Sequence, residues 1–417
     1  MNPIEKFVYD KLKGNPRLKL FVRNSYQSVF DLLPRKRDWS IAPIEVKSGY
    51  FFGFHDISPF SQTDDKVLAN KLAIPLRKPM VDDPLIVGYF TFDNQCKDFN
   101  KIGESFAWNY HKGCRLQWAG KDKIIYNDAL NGKLISRVYS TESSETTTLP
   151  YPIDSINAEG TIASFFSYER LEKLMPGYGY PHQDDYSFLE ENAPDKTGIY
   201  TMRMEDGSIQ LLKSVKELSE MSHVPETVKN EMFFVTHSLF SPDGQFLSFM
   251  LRSTTLDNLN KRWSSLIVMD LNTEQCFVAP TEEMVSHYVW NARNQIVAYC
   301  RVDGIDSHIL FEDPTLANYK RVAYPFLNSD GHQSFASDEV FVTDTYPDKY
   351  RMANLFKVDM SNNKITKLAT LNSPKMFQSR SFHSACDLHP RMNRKGDVIC
   401  FDSIHTGMRS LCFMNIS

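Results

Sequence analysis

Short apolar runs alternate with polar turns along most of the chain, and four of these runs begin in the same way. Each has a histidine, an apolar residue three positions later, a small or polar residue, a turn, and then a β-rich apolar run. The four copies are "HSLFSPDGQFLSFML" from His237, "HYVWNARNQIVAYC" from His287, "HQSFASDEVFVTD" from His332 and "HPRMNRKGDVICF" from His389. An apolar run of this length bounded by turn residues is typical of a β-strand.

Three further copies fall in the same frame. "RLQWAGKDKIIYND" has Arg115 in place of the histidine, "IDSINAEGTIASFF" has Ile153, and "HDISPFSQTDDKVLANKLA", with a longer turn, has His55. The repeat therefore occurs seven times, and we call the position of these seven residues the slot.

Each unit also supplies a third strand, such as "SLIVMDLN" or "SLCFMNI". Units of roughly 40–60 residues with three or four short strands are typical of β-propeller blades. The final copy stops directly after its third strand, and an unpaired edge there would be a liability. We therefore predict that residues 42–48 pair with residues 409–416 and close the ring. The predicted fold is all-β, a seven-bladed β-propeller over residues 41–417 with a short N-terminal helical extension.

Residues 1–40 differ from the repeats. Residues 1–38 hold nine Lys and Arg against four Asp and Glu, a charge of +5, which leaves −9 on the remaining 379 residues of a chain whose net charge is −4. Apolar residues recur there at helical spacing, interrupted by "GNP" at 14–16. We expect a basic amphipathic helical segment that docks on the rim of the propeller or contacts an anionic membrane surface peripherally through residues 1–38.

The composition and the lack of a recognisable targeting signal favour a cytoplasmic protein, which is either free in the cytoplasm or bound peripherally at the inner membrane. No apolar run approaches the 18 residues or so of a transmembrane helix, and the N-terminus lacks the apolar stretch of a secretory signal. Seven cysteines without a CxxC pair favour free thiols in a reducing compartment. Mixed charge without a basic stripe argues against a nucleic-acid partner.

The slots are expected to converge. Because the first strand of each blade lines the central channel of a propeller, equivalent positions meet at one end of that channel. The expected ring consists of His55, Arg115, His237, His287, His332 and His389. Asp387 shares a strand face with His389 by alternation. Clustered imidazoles with a carboxylate suit a divalent metal such as Mn²⁺ or Zn²⁺. The alternative is that repeated histidines only bond to carbonyls of neighbouring strands, which leaves the arginine in the second slot unexplained.

Several segments resemble a known family. "GHQSFASDEVFVTDTYPDKYRMANLFKVD" and "CDLHPRMNRKGDVICFDSIHTGMRSLCFMNI" are similar to the last two blades of the oligogalacturonate-lyase-like propellers. "FFGFHDISPF", "PGYGYPHQDDYSF" and "SHYVW" resemble motifs of less characterised members of that group. Members with known chemistry cleave uronate-containing glycans by β-elimination, with a histidine-bound divalent metal.

The resemblance implies a metal site with one histidine from an inner strand, a place that His287 or His332 matches. It also implies a Gln-x-x-His-x-His run before a proline. Here the corresponding positions are Ser384, Asp387 and His389, so that only His389 is kept and Asp387 is a chemically acceptable replacement. The candidate metal ligands are His287, His332, Asp387 and His389.

Elimination needs a cation on the uronate carboxylate, a base near the α-proton and an acid for the leaving oxygen. Imidazole titrates near neutrality and suits the base, arginine binds carboxylates bidentately, and a tyrosine hydroxyl can donate the proton. The predicted catalytic residues are His237 as base, Arg115, Arg351 and Arg391 as carboxylate-binding cations and Tyr346 as acid. Ordinary salt bridges and a structural tyrosine are the alternatives. Asp344 and Asp348 are expected to fix the turn around Tyr346. The predicted substrate contacts are His55, Asp56 and Trp290.

The sequence therefore predicts a carbohydrate-active propeller, a lyase acting on an oligosaccharide or polysaccharide that contains uronates. The lack of an export signal and the basic N-terminus also fit an alternative, a glycosyltransferase or glycan-binding protein of surface-polysaccharide assembly at the inner membrane face. A propeller that serves only as a protein-interaction platform would not explain the ring of histidines.

Overall fold

The structure is a computed structural model that describes residues 36–93, 95–377 and 384–417. The described chain begins with two strands that join the far end of the ring, β1 (Trp39–Ser40) and β2 (Ile44–Ser48). It then builds seven antiparallel sheets in chain order, which confirms the predicted seven-bladed β-propeller.

Blade one contains β3 (Tyr50–Phe51), β4 (Lys66–Leu72), β5 (Leu85–Phe92) and β6 (Cys96–Ser105). Blade two contains β7 (Gln117–Ala119), β8 (Lys123–Leu130), β9 (Lys133–Ser140) and β10 (Thr146–Leu149). Blade three contains β11 (Ser155–Ile156), β12 (Ile162–Phe165), β13 (Gly198–Arg203) and β14 (Ile209–Ser214). Two helices accompany the third blade, α1 (Tyr168–Leu174) between β12 and β13 and α2 (Val215–Met221) after β14.

Blades four and five contain β15 (Met232–Phe240), β16 (Phe246–Thr255), β17 (Asn258–Asp270) and β18 (Cys276–Val278), then β19 (Val285–Trp290), β20 (Ile296–Val302), β21 (Ile305–Phe311) and β22 (Tyr319–Val322). Blade six contains β23 (Ser334–Ser337), β24 (Val340–Asp344), β25 (Met352–Asp359) and β26 (Lys364–Asn372). Blade seven contains β27 (Arg391–Met392), β28 (Val398–Ser403) and β29 (Ser410–Asn415). Short 3₁₀ turns lie at Glu226–Val228 and Lys375–Phe377.

The small polar residue four positions after the slot shapes the turn between the first two strands. Asn393 Oδ1 accepts the backbone N–H of Val398 (2.9 Å), and Asn291 Oδ1 accepts that of Gln295 (2.9 Å). Side-chain oxygens of Asn and Ser mimic a backbone turn in this way. The repeated polar position is therefore the cap of a repeated hairpin.

The ring closes as predicted. β2 pairs antiparallel with β29, from Ile44 opposite Met414 to Ser48 opposite Ser410. β1 adds a fifth strand to blade six, where Trp39 pairs with Thr370 on β26. The helical segment predicted for residues 1–40 lies outside the described residues up to residue 35, and Trp39 and Ser40 form strand β1.

Apolar side chains fill the spaces between successive blades. Leu355 and Ile399, for example, belong to one buried cluster between blades six and seven, whereas Met250 and Ile309 belong to another between blades four and five. All seven cysteines are free thiols. Within the described part of the chain, no helix combines the length and apolar character needed to cross a membrane.

The slots all lie at one end of the channel, which we call the mouth. Strands alternate in direction within each antiparallel blade, so the connection between the second and third strands and the connection to the next blade also lie at this end. The longer of these segments are 73–84, 106–116, 166–197, 215–231, 323–333, and the described parts of 373–390. The mouth is therefore walled by loops and by the two short helices α1 and α2, while the opposite end has mostly short turns.

Candidate functional site

The slot side chains point to the axis because the backbone departs from a regular strand there. Arg115, His237 and His389 have left-handed φ values of 54°, 56° and 44°. In β15 the register with β16 shifts on either side of His237, and such a bulge turns a side chain out of the ladder. In blade one, the chain between β3 and the bridge at Phe60 bends inward and carries Phe54 and His55 to the axis.

Five slot histidines meet at the mouth. We call His55, His237, His287, His332 and His389 the histidine cluster; each is at most 6% exposed. The His332 ring centroid lies 4.1 Å from that of His287 and 4.2 Å from that of His389, and His55 lies 5.1 Å from His332. The Phe54 ring lies 4.6–5.9 Å from all five imidazoles and occupies the centre of the cluster.

The imidazoles share one orientation pattern, with Nδ1 held by the protein. The Nδ1 contacts are His55 to the Gln333 carbonyl (2.7 Å), His389 to the Gly53 carbonyl (2.8 Å), His332 to Asp344 Oδ1 (2.8 Å), His287 to Asp330 Oδ1 (3.2 Å) and His237 to the Thr236 hydroxyl (2.7 Å). The alternative expectation was that these histidines only bond to carbonyls, and His55 and His389 do contact a carbonyl through Nδ1. They nevertheless leave Nε2 available: the buried Nε2 atoms of His55 and His389 have no hydrogen-bond partner among the described residues. An imidazole that donates through Nδ1 presents its Nε2 lone pair, which is the arrangement of a metal ligand.

Three of the four predicted ligands come together. Donor atoms of His332, Asp387 and His389 all lie within 4.8 Å of one another, and the fourth, His287, is in ring contact with His332. Two imidazole nitrogens and a carboxylate oxygen form a donor set that suits Mn²⁺ or Zn²⁺. The side chains that are present therefore fit a divalent metal.

Burial keeps most of the cluster neutral. It lowers the pKa of His55, His237, His287 and His389 well below the usual value, and neighbouring positive or imidazole groups add to the effect. For His332 burial acts in the same direction, but the Asp344 carboxylate outweighs it and the pKa is raised. Burial raises the pKa of Asp387 to about 6, although His332 acts against this rise.

The two slots without a histidine, Arg115 and Ile153, adjoin a buried ionic sector, which we define as Asp56, Lys112, Arg115 and Asp154. Arg115 Nη1 donates to Asp56 (2.9 Å), its Nε lies 3.1 Å from Asp154, and Lys112 Nζ lies 2.7 Å from Asp154. Both acids directly follow a slot, Asp56 in blade one and Asp154 in blade three. The predicted catalytic Arg115 and substrate contact Asp56 are thus paired with each other beside the cluster.

The open part of the mouth contains charged and phenolic side chains. Tyr346 is 41% exposed and its ring lies 5.6 Å from that of His332, so the predicted acid does adjoin the cluster. The mouth walls desolvate its hydroxyl, and with Asp330 and Asp387 they raise the phenolic pKa well above its usual value. Tyr178, from the long segment of blade three, lies 6.1 Å from His237.

Two arginines missed by sequence reasoning also lie here. Arg252 on β16 donates to the carbonyl of Ser286, next to His287 (3.0 Å), and Arg262 lies on the facing strand β17. No carboxylate of the described residues is within ion-pair distance of either guanidinium. Burial and the neighbouring Arg262 lower the pKa of Arg252 to about 10. Two adjacent guanidinium groups without a carboxylate partner among the described residues can bind an anion.

Of the other predicted residues, Arg391 adjoins the cluster, because it shares the Gly53 carbonyl with Nδ1 of His389. Arg391 is fully buried, where it donates to Asp402 (3.2 Å) and to the Gly53 carbonyl (3.0 Å). Trp290 lies three residues beyond His287 on β19, roughly 10 Å along the strand, and donates to the Ser248 hydroxyl (2.8 Å). Arg351 is half-buried in the turn before β25, at the same end of the propeller as Tyr346.

The fold and the cluster define the class of protein: a seven-bladed β-propeller with an imidazole-rich, carboxylate-containing site at one mouth. No protein-family model matches the sequence. No curated protein matches it either.

Solved structures do match. An oligogalacturonate lyase in complex with manganese superposes with a TM-score of 0.61 and 11% identity, covering 92% of this chain and 99% of that chain. The tricorn protease (TM-score 0.49, 10% identity) covers 88% of this chain and 33% of that chain. TolB from Acinetobacter baumannii (TM-score 0.39, 10% identity) covers 73% and 64%. At these identities the likeness shows the propeller fold alone.

Proposed function

We propose that the mouth is the active site of a metal-dependent lyase that cleaves uronate-containing oligosaccharides by β-elimination. The observation that carries the proposal is the histidine cluster: Nδ1 of each imidazole is held, Nε2 of His55 and of His389 has no partner among the described residues, and donor atoms of His332, Asp387 and His389 lie within 4.8 Å of one another. A fold in common with an oligogalacturonate lyase in complex with manganese supports the same conclusion.

His332, Asp387 and His389 would hold the metal, with His287 next to them. A bound divalent cation supplies positive charge that stabilises the carbanion-like state formed when the proton α to a uronate carboxylate is removed. The lowered pKa of His389 keeps this ligand unprotonated, as metal binding requires, and the lowered pKa of His287 keeps the adjacent imidazole neutral.

Arg252 and Arg262 account for the choice of an acidic sugar. They lie on one hairpin of blade four, without a carboxylate partner among the described residues, and Arg252 adjoins His287. Guanidinium groups bind carboxylates through charge-assisted hydrogen bonds. This role was predicted for Arg115, Arg351 and Arg391, of which Arg115 and Arg391 form ion pairs with Asp56 and Asp402.

His237 is the base. When its Nδ1 donates to Thr236, its Nε2 carries the lone pair that accepts the α-proton, and its lowered pKa keeps it neutral. Tyr346 donates a proton to the leaving glycosidic oxygen, because its raised pKa keeps the phenol protonated. The bond between the leaving oxygen and C4 breaks as the C4–C5 double bond forms.

The test is a panel of uronate oligosaccharides incubated with the purified protein in Mn²⁺, Zn²⁺ or a chelator. Elimination leaves an unsaturated uronate that absorbs in the near ultraviolet. We expect a metal-dependent rise in absorbance with at least one acidic oligosaccharide and none with neutral ones. An absence of absorbance change throughout the panel, together with consumption of nucleotide-sugars when a glycan acceptor is present, would replace the lyase with the transferase alternative.

A further inference from the structure

Asp344, the last residue of β24, contacts two histidines from different blades. It is 1% exposed. Its Oδ1 accepts the backbone N–H of His332 (2.8 Å) and lies 2.8 Å from Nδ1 of the same residue. Its Oδ2 accepts the backbone N–H of His389 (2.9 Å), in blade seven. The sequence suggested only that Asp344 fixes a turn, but the carboxylate joins two candidate metal ligands.

Each of these contacts has a reason in the local structure. The left-handed φ of His389 turns its N–H away from a strand ladder, and a buried N–H needs a partner. The contact with Nδ1 of His332 fixes the tautomer in which Nε2 carries the lone pair. Carboxylates that hold a metal-binding imidazole in this way orient the ring and strengthen it as a ligand.

We propose that Asp344 is the positioning residue of the metal centre. It holds His332 and His389 at the spacing at which each of them and Asp387 offer one donor atom, all within 4.8 Å of one another, to a single divalent cation. Blades six and seven are thereby joined at the point where they share the ion. This inference rests on the metal site of the proposed function.

The test compares Mn²⁺ affinity among three full-length proteins, by the loss of the free-ion electron paramagnetic resonance signal during titration. Asp344→Asn offers an acceptor on one side only, so it cannot serve both histidines. We expect its Mn²⁺ dissociation constant to rise about 10–100-fold over that of the wild type. The matched control is Asp154→Asn. Asp154 is equally buried and accepts the backbone N–H of Ser238 beside His237 (2.8 Å), but contacts none of the three ligands. It should unfold at a lower temperature than the wild type and bind Mn²⁺ with wild-type affinity.

The outcomes separate this inference from the proposed function. Equal affinity of Asp344→Asn and the wild type overturns the positioning role and leaves the metal site standing. Equal weakening in both variants also overturns it, since general loosening of the ring then explains the loss. A wild type that binds no Mn²⁺ overturns both.

A second measurement needs no Asp344 variant. In the wild type with ¹⁵N-labelled histidine, assigned through His332→Ala and recorded in alkaline buffer without metal, the His332 ring should carry its proton on Nδ1. A proton on Nε2 instead contradicts the positioning role.

Discussion

The side chains that meet at the mouth are held by contacts between blades. A left-handed backbone costs on the order of 1 kcal/mol per non-glycine residue, and His237 and His389 both adopt it. Beside each of them, a buried carboxylate accepts a backbone N–H: Asp154 that of Ser238 (2.8 Å) and Asp344 that of His389 (2.9 Å). For His237 and His389, a carboxylate from the preceding blade therefore holds the backbone from which the imidazole projects.

His237→Ala should lower the rate of elimination about 10²–10⁴-fold, the usual contribution of a general base. Its Mn²⁺ affinity should stay unchanged, because His237 is outside the set of donor atoms at His332, Asp387 and His389. Steady-state kcat and a Mn²⁺ titration measure the two effects. His223→Ala, at an exposed histidine, is the control and should keep full activity. A His237→Ala enzyme with the wild-type rate would remove this residue from the mechanism.

Arg262→Gln should lower kcat/KM for an acidic oligosaccharide about 10–100-fold, since a hydrogen bond to a charged group contributes roughly 1.5–3 kcal/mol. The loss should shrink for a methyl-esterified substrate, which carries no charge for Arg262 to bind. Arg293→Gln is the matched control, because Arg293 is exposed in the turn between β19 and β20 at the opposite end of the propeller. Equal losses for charged and esterified substrates would show that Arg262 does not bind the carboxylate.

Among the elements, the long segment between β12 and β13 is anchored by a buried arginine. Ser167 caps α1 by accepting the N–H of Arg170 (2.9 Å). The guanidinium of Arg170 then donates to five carbonyls, those of Phe233, Ser187, Phe188, Glu191 and Asn192, at 2.7–3.1 Å. This buried arginine ties the wall of the mouth that carries Tyr178 to the first strand of blade four.

Arg170→Met should therefore destabilise the protein by roughly 3–5 kcal/mol, because five carbonyls lose their hydrogen bond from a buried guanidinium. Amide hydrogen exchange over residues 166–197 should accelerate more than exchange in blades five and six. Arg203→Met is the control: Arg203 is exposed, its pairs with Glu205 and Asp206 lie at the surface, and its loss should cost under about 0.5 kcal/mol. Unchanged exchange in the 166–197 segment would contradict the role given to Arg170.

The strands and the slot could be read from the sequence because both recur. Seven copies of one hairpin, six of them with the slot at the same distance from the turn, indicate both the blades and the convergence of the histidines. The ion pairs, in contrast, do not recur from blade to blade. Asp154 lies 39 positions from Arg115, so nothing local distinguishes this buried ion pair from a substrate-binding arginine. Arg252 and Arg262 were missed for the same reason, since their importance comes from having no carboxylate partner in space among the described residues.

At the scale of the whole molecule, the site depends on a closed ring. The histidine cluster draws on blades one, four, five, six and seven, and blade seven receives its fourth strand from β2. Because Gly49 donates to the Arg409 carbonyl (2.9 Å), alternation along this antiparallel pair makes Val46 and Cys412 a non-hydrogen-bonded pair with neighbouring side chains.

Val46→Cys should form a disulfide with Cys412 and lock the closure. A cross-link of this kind typically stabilises by about 2–4 kcal/mol, which a higher unfolding temperature under oxidising than under reducing conditions would show. Burial raises the pKa of the Cys412 thiol well above its usual value, so diamide is used rather than air oxidation. The control variant Val46→Ser cannot form the disulfide, so its unfolding temperature should be the same under oxidising and reducing conditions. Failure of the cross-link to form in the folded protein would contradict the register of β2 with β29.

The central claim, that the imidazole-lined mouth carries out metal-dependent β-elimination, is tested most directly by weighing the products. A uronate trisaccharide is incubated with the wild-type protein and Mn²⁺, and the products are measured by mass spectrometry. Elimination adds no water, so we predict two products whose masses sum to that of the substrate, one of them with an unsaturated uronate, and no products in a chelator. Products that together are one water heavier than the substrate would show hydrolysis and contradict the claim.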